Sequence, residues 1–147
     1  MNTNLKTKLK MTDHLSKIKR RRNMQRIKST NTFPELKIKE LLRKKKLFYN
    51  QNVKKLPGSP DIVMSKDKKI IFVNGCFWHQ HKNCSRSTVP KTNRNYWVNK
   101  FKKTIKRDKE NKNKLKGIGW KVLVLWECEI NKKKFAEKKI NKFLKAV

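Results

Sequence analysis

Residues 69–84 read KIIFVNGCFWHQHKNC, an apolar strand-like run that breaks at Gly75 into thiols, imidazoles and large aromatics. Cys76, His81 and Cys84 stand in a C-x4-H-x2-C spacing, which lets a tight loop aim three nitrogen and sulfur donors at one point. Cys128, after WKVLVLW, can complete a tetrahedron. The pattern reads as a structural zinc site; the alternative is that the cysteines are small core hydrophobes and the histidines solvated loop residues. The site would use all three cysteines of the chain. A lysine-rich sequence with no secretory signal is expected in a reducing compartment, where such spacing favours metal over disulfide. With His81 given to the metal, His79 is left beside Phe77 and Trp78 as the free base of the cluster. A neutral imidazole accepts a proton near pH 7, so His79 reads either as a general base or as a surface residue.

Working outward, 147 residues suffice for one compact domain, and no internal repeat or second hydrophobic region suggests another. Lys and Arg number 42 against 10 Asp and Glu, a formal charge of +32 spread over nearly every segment. A polyanion is the expected partner. Nucleic acid suits that charge better than a membrane, because no apolar run approaches transmembrane length and no basic helix has a clean aromatic-rich opposite face.

Residues 1–30 form a basic N-terminal arm, densest at LSKIKRRRNMQRIKST, with no sustained helical or strand period. It lacks the apolar run of a signal peptide and the Arg/Ser bias of a transit peptide. It reads as a solvated tail or as a segment that folds onto DNA phosphates. The remainder, 31–147, reads as one domain. Thr32-Phe33-Pro34-Glu35 is a helix start, Thr32 capping and Glu35 returning the capping-box bond, with Ile38, Leu41 and Leu42 on one face and an end near Lys46. Leu47 to Val53 reads as a strand, Leu56 to Pro60 as a turn, Asp61 to Met64 and Lys69 to Val73 as two more strands. A long helix follows from Thr92 or Asn93 to about Lys116, with Trp97, Phe101, Ile105 and Leu115 on one side. Trp120 to Trp126 is apolar enough for a strand buried on both faces, and Lys134 to Ala146 closes the chain as a helix.

An α-β-β-β-α-β order with Pro60-Asp61 opening the second strand resembles the restriction-endonuclease-like nucleases, although the third strand ends Val73-Asn74-Gly75 without a second acid or a lysine. RNMQRIKSTNTFPE, LPGSPDIV, IIFVNGCFWHQH, VPKTNRNYW, Arg107-Asp108 and KGIGWKVLVLWEC, in that order, resemble the very short patch repair (Vsr) endonucleases from about Arg22 to Ile130. The resemblance implies a strand-nicking DNA endonuclease acting 5′ to the thymine of a T:G mispair, the product of 5-methylcytosine deamination. It implies Mg²⁺ on Asp61 and the main-chain carbonyl of Val73, His79 as the water-activating base, Asp108 orienting His79, and Glu35 reaching the metal's water shell. Cys76, His81, Cys84 and Cys128 match its structural zinc ligands. Met24, Phe77, Trp78 and Trp97 match its DNA-contacting positions, the aromatics as wedges beside the mismatch; Trp97, on an amphipathic helix, also reads as core. Asn74 stands where some members carry a second histidine. The implied setting is cytoplasmic, on chromosomal DNA, the protein acting as a monomer with double-stranded DNA and other repair proteins as partners. The rival readings are a general or restriction-type nickase, a non-catalytic zinc-containing DNA-binding protein, and an RNA-binding protein.

Overall fold

The computed structural model describes residues 16–147; the arm's first residues, 1–15, lie outside them. The elements are α1 (Lys17–Arg26), α2 (Phe33–Lys44), β1 (Asn50–Gln51), β2 (Ile62–Met64), β3 (Lys69–Asn74), α3 (Arg94–Gly117), β4 (Lys121–Trp126), α4 (Glu127–Ile130) and α5 (Lys133–Lys145). The strands form one mixed sheet in the order β1-β2-β3-β4. β1 and β2 pair antiparallel, as do β2 and β3, while β4 runs parallel to β3 with Val73 opposite Leu125.

The period of two in the strands sorts their side chains into two layers. Ile62, Met64, Ile71 and Leu125 face α2 and α5, packing with Ile38, Leu42, Ile130 and Ile140. Val63 and Ile70 point the other way, with Leu115 of α3 and the partly buried Phe72, Trp120 and Val122. The sheet is therefore covered by helices on both faces.

Several sequence expectations are corrected. The arm does contain a helix: Ser16 caps α1 by accepting the Lys19 N–H at 3.3 Å. It buries no side chain, which is why no apolar period announces it. The first strand is two residues long instead of seven. Thr32 is the N-cap of α2, but the capping bonds differ: Glu35 accepts the Asn31 N–H (2.9 Å) and the Thr32 hydroxyl (3.0 Å), so Thr32 does not cap a helix N–H. Ile105 is exposed, lying off the inward stripe of α3. In β4 only Leu125 is fully buried, because this strand is the sheet's edge and not its centre.

Gly58, in the turn before β2, has φ +78°, and a Cβ there would meet Asn111 at 3.1 Å and the Phe72 ring at 3.3 Å. Gly117, at the end of α3, has open space around it. Gly58→Ala should lower unfolding free energy by about 1–2 kcal/mol or more, and Gly117→Ala should raise it by roughly 0.5 kcal/mol. Denaturant unfolding of the two variants checks both signs.

Candidate active site and metal centre

β3 ends at Asn74, and the chain then turns back on itself: His79 N–H bonds to the Gly75 carbonyl at 3.1 Å and His81 N–H to the Cys76 carbonyl at 3.0 Å. These bonds carry the two imidazoles to opposite sides of the loop. His81 goes inward. Its Nδ1 lies 3.7 Å from Cys76 Sγ and 3.2 Å from Cys128 Sγ, and the donor atoms of Cys76, His81, Cys84 and Cys128 all lie within 4.8 Å of one another. Ligands of a tetrahedral zinc would stand about 3.6–3.8 Å apart, so the cluster has the size and the donor chemistry to hold one soft metal ion. Burial pushes the Cys76 thiol well above its ordinary value, and a cation would have to displace its proton.

The loop's far end is secured by residues the sequence reading did not single out. The Ser87 hydroxyl lies 2.6 Å from the His81 carbonyl and 3.0 Å from that of Cys76. The Trp126 ring stacks on His81 at 4.2 Å and 10°. Cys128 reaches the cluster because α4, a single turn absent from the expected elements, follows β4 directly.

His79 faces the other way, and its Nδ1 is 2.6 Å from Asp108 Oδ2. Asp108 is on α3 in phase with Trp97 and Leu115, eleven and seven residues away, so it interrupts the helix's inward stripe. An acidic residue at a core-facing phase is the signal by which the sequence could have marked it. A carboxylate on Nδ1 makes that nitrogen the donor, which leaves the Nε2 lone pair free.

Asp61 precedes β2, and its Oδ2 accepts the Val73 N–H at 2.7 Å. Burial, with the Glu35 carboxylate adding to it, pushes the Asp61 carboxyl up to about 6, against the lowering effects of the Val73 N–H, Lys39 and His79. Asp61, Val73, Glu35 and His79 line one groove of about 870 Å³, together with Met24 and Trp78. Asp108 lies outside it, on a neighbouring cavity of about 430 Å³ that it shares with His79.

The aromatics divide. Trp78 reaches the groove, with the Lys100 ammonium 5.5 Å from its ring. Phe77 and Trp97 do not line it; they pack edge-on and tilted against each other and the buried Phe101, with centroids 5.3–5.6 Å apart. α1, which carries Arg20, Arg21, Arg22 and Arg26, reaches the same groove through Met24, with Ile27 just past its end.

A raised carboxyl has a definite sign in stability. Between the unfolded value of 3.8 and the folded value of about 6 the native state holds more protons than the unfolded chain. Stability is therefore lost as pH rises through that window. Without divalent cations, Asp61→Asn should stabilise the fold at pH 8 by on the order of 1–3 kcal/mol. The gain should disappear below pH 4, and thermal unfolding at the two pH values reads it directly.

The family model described as DNA mismatch endonuclease Vsr matches residues 12–86. Over 120 residues the chain is 36% identical to the DNA mismatch endonuclease Vsr of Escherichia coli K12, covering 82% of this chain and 76% of that one. Over 137 residues it is 37% identical to the type II nicking enzyme V.NmeAIP of Neisseria meningitidis serogroup A, covering 93% and 97%. Over 121 residues it is 40% identical to the type II nicking enzyme V.XorIIP of Xanthomonas oryzae, covering 82% and 88%. A nuclease-type constellation of residues and a match along most of the chain agree: the chain belongs to the Vsr family of DNA endonucleases.

Proposed function

We propose that this endonuclease nicks one strand of duplex DNA on the 5′ side of the thymine in a T:G mispair, in a restriction-endonuclease-like core that uses Mg²⁺ for chemistry and Zn²⁺ for structure. The observation that carries the reading is the His79–Asp108 pair beside Asp61: an oriented base and a hard oxygen ligand meet at one groove.

Asp61 and the Val73 carbonyl are oxygen donors of the kind Mg²⁺ takes, whereas the sulfur-rich cluster suits zinc. Mg²⁺ held there would offset charge on the phosphate under attack. Asp108 holds the His79 ring, whose Nε2 takes a proton from the attacking water. Glu35, fixed by two donors, presents its carboxylate from the first turn of α2 and orients water. Cys76, His81, Cys84 and Cys128 would hold a zinc with protein ligands alone, and its part would be to hold the loop that carries His79.

Mismatch selectivity follows from the aromatic cluster. A T:G wobble stacks poorly, so a wedge enters at lower cost than at a matched pair. Trp78 is the side chain at the groove, and Phe77 and Trp97 brace it from behind. Met24 approaches from α1, whose cations meet phosphates on the way. No helix of the described residues is long and apolar enough to cross a membrane; we place the protein on chromosomal DNA in the cytoplasm, as a monomer working alongside other repair proteins. The relatives named type II nicking enzymes support nicking itself, and a second reading is a general or restriction-type nickase.

Nicking of T:G, C:G and T:A duplexes of otherwise identical sequence separates the two. The first reading expects cleavage of T:G alone, lost in His79→Ala with DNA affinity kept, and a weaker preference in Trp78→Ala. Equal rates on the three duplexes would favour the second. Metal analysis should find one zinc per chain, and Cys84→Ser should lower thermal stability before it affects anything else; folded protein without zinc would remove the structural assignment.

A further inference from the structure

The inward face of α2 is made of Glu35, Ile38, Lys39 and Leu42, so half of it is an ion pair. Lys39 is 8% exposed, and its Nζ lies 2.8 Å from Asn31 Oδ1 and 3.8 Å from Glu35 Oε2. Asn31 in turn gives its backbone N–H to the same Glu35 oxygen, and it holds a left-handed φ of 52° to do so. Lys39, Asn31 and Glu35 thus close a triangle, with the Thr32 hydroxyl on the second carboxylate oxygen.

Stability does not explain a buried ammonium here, since apolar residues in place of a buried ion pair are often neutral or better. The ammonium does not line the groove, so it does not meet the phosphate directly. It does meet Glu35, which shares the groove with Asp61, and its charge acts on Asp61 in the sense opposite to that of Glu35.

We propose that Lys39 is a positioning residue for the nicking reaction: it fixes the Glu35 carboxylate toward the groove and balances the negative charge that Glu35 and Asp61 place there. The inference rests on the endonuclease reading. Without the ammonium, Glu35 keeps the Asn31 N–H and the Thr32 hydroxyl but loses the cation that holds the Asn31 side chain and pairs with its Oε2, and a cation entering the groove meets more net negative charge. The chemical step should therefore slow while cation binding does not weaken, a combination that simple loosening of the fold would not give.

The test is a double-mutant cycle of Lys39→Met and Glu35→Gln on a duplex that the wild type nicks, well below the melting temperature. Ca²⁺ binding to each protein is measured by titration calorimetry at pH 8. Lys39→Met should lower kcat about tenfold or more with KM within about threefold, and should bind Ca²⁺ as tightly as wild type or tighter. In the Glu35→Gln background the same change should cost little further, because the two residues act as one unit. If Lys39→Met does not fold, Lys39→Gln, which keeps a donor for Asn31 without the charge, takes its place. A kcat within twofold of wild type, a full cost retained beside Glu35→Gln, or loss of Ca²⁺ binding would each overturn the proposal. No nicking by the wild type on any duplex would overturn the endonuclease reading and the proposal with it.

Discussion

A loop with no strand or helix of its own aims a side chain only if its far end is tied down, and between Gly75 and Cys84 the tie we propose is a metal held by Cys76, His81, Cys84 and Cys128. Closing that cluster joins the end of β3 to the turn after β4, two strands that run parallel side by side. The geometry of His79 is thereby referred to the strand ends that also present Val73 and, through its N–H, Asp61. Without a metal there, His79 would be held by the Asp108 hydrogen bond, the loop's own main-chain bonds and the Ser87 hydroxyl.

Charge sets the second constraint. The chain is strongly basic, yet its groove gathers Asp61 and Glu35 behind a surface of cations. Burying a carboxylate where it would rather be protonated stores free energy that a divalent ion can recover. That cost is expected where chemistry outranks stability. A phosphate backbone drawn in by α1 and Lys100 would arrive at a site otherwise unfavourable to anions, so on the proposed reading a cation in the groove and DNA would support each other's binding.

Much of this was legible before any coordinates. Cys76, His81, Cys84 and Cys128 announced themselves by spacing, and the structure brings them together; Asp61 and His79 came from motif order, and they meet at one groove. The apolar period of β2, β3 and α2 gave their faces. What was hidden had no periodic signature. α1 buries nothing, α4 is a single turn, and β4 looked central because its composition is apolar although its position is peripheral. Ser87 acts through main-chain carbonyls, which residue pattern does not show, and Lys39, four residues after Glu35, has the spacing of an ordinary exposed helix pair, which hides that both are buried. Phe77 and Trp97 read as wedges beside Trp78, yet they lie behind it, Phe77 packed edge-on and Trp97 tilted against Phe101.

The proposed dependence of His79 on a metal at the cluster can be measured apart from every substitution. Single-turnover nicking would be followed in excess Mg²⁺ as the loop metal is withdrawn by a zinc-selective chelator, with thiol titration reporting how many clusters are empty. Nicking should fall in proportion to empty clusters, and restoring zinc should restore it. Full-rate nicking by protein whose three cysteine thiols are free would contradict the claim that this cluster holds His79 in place.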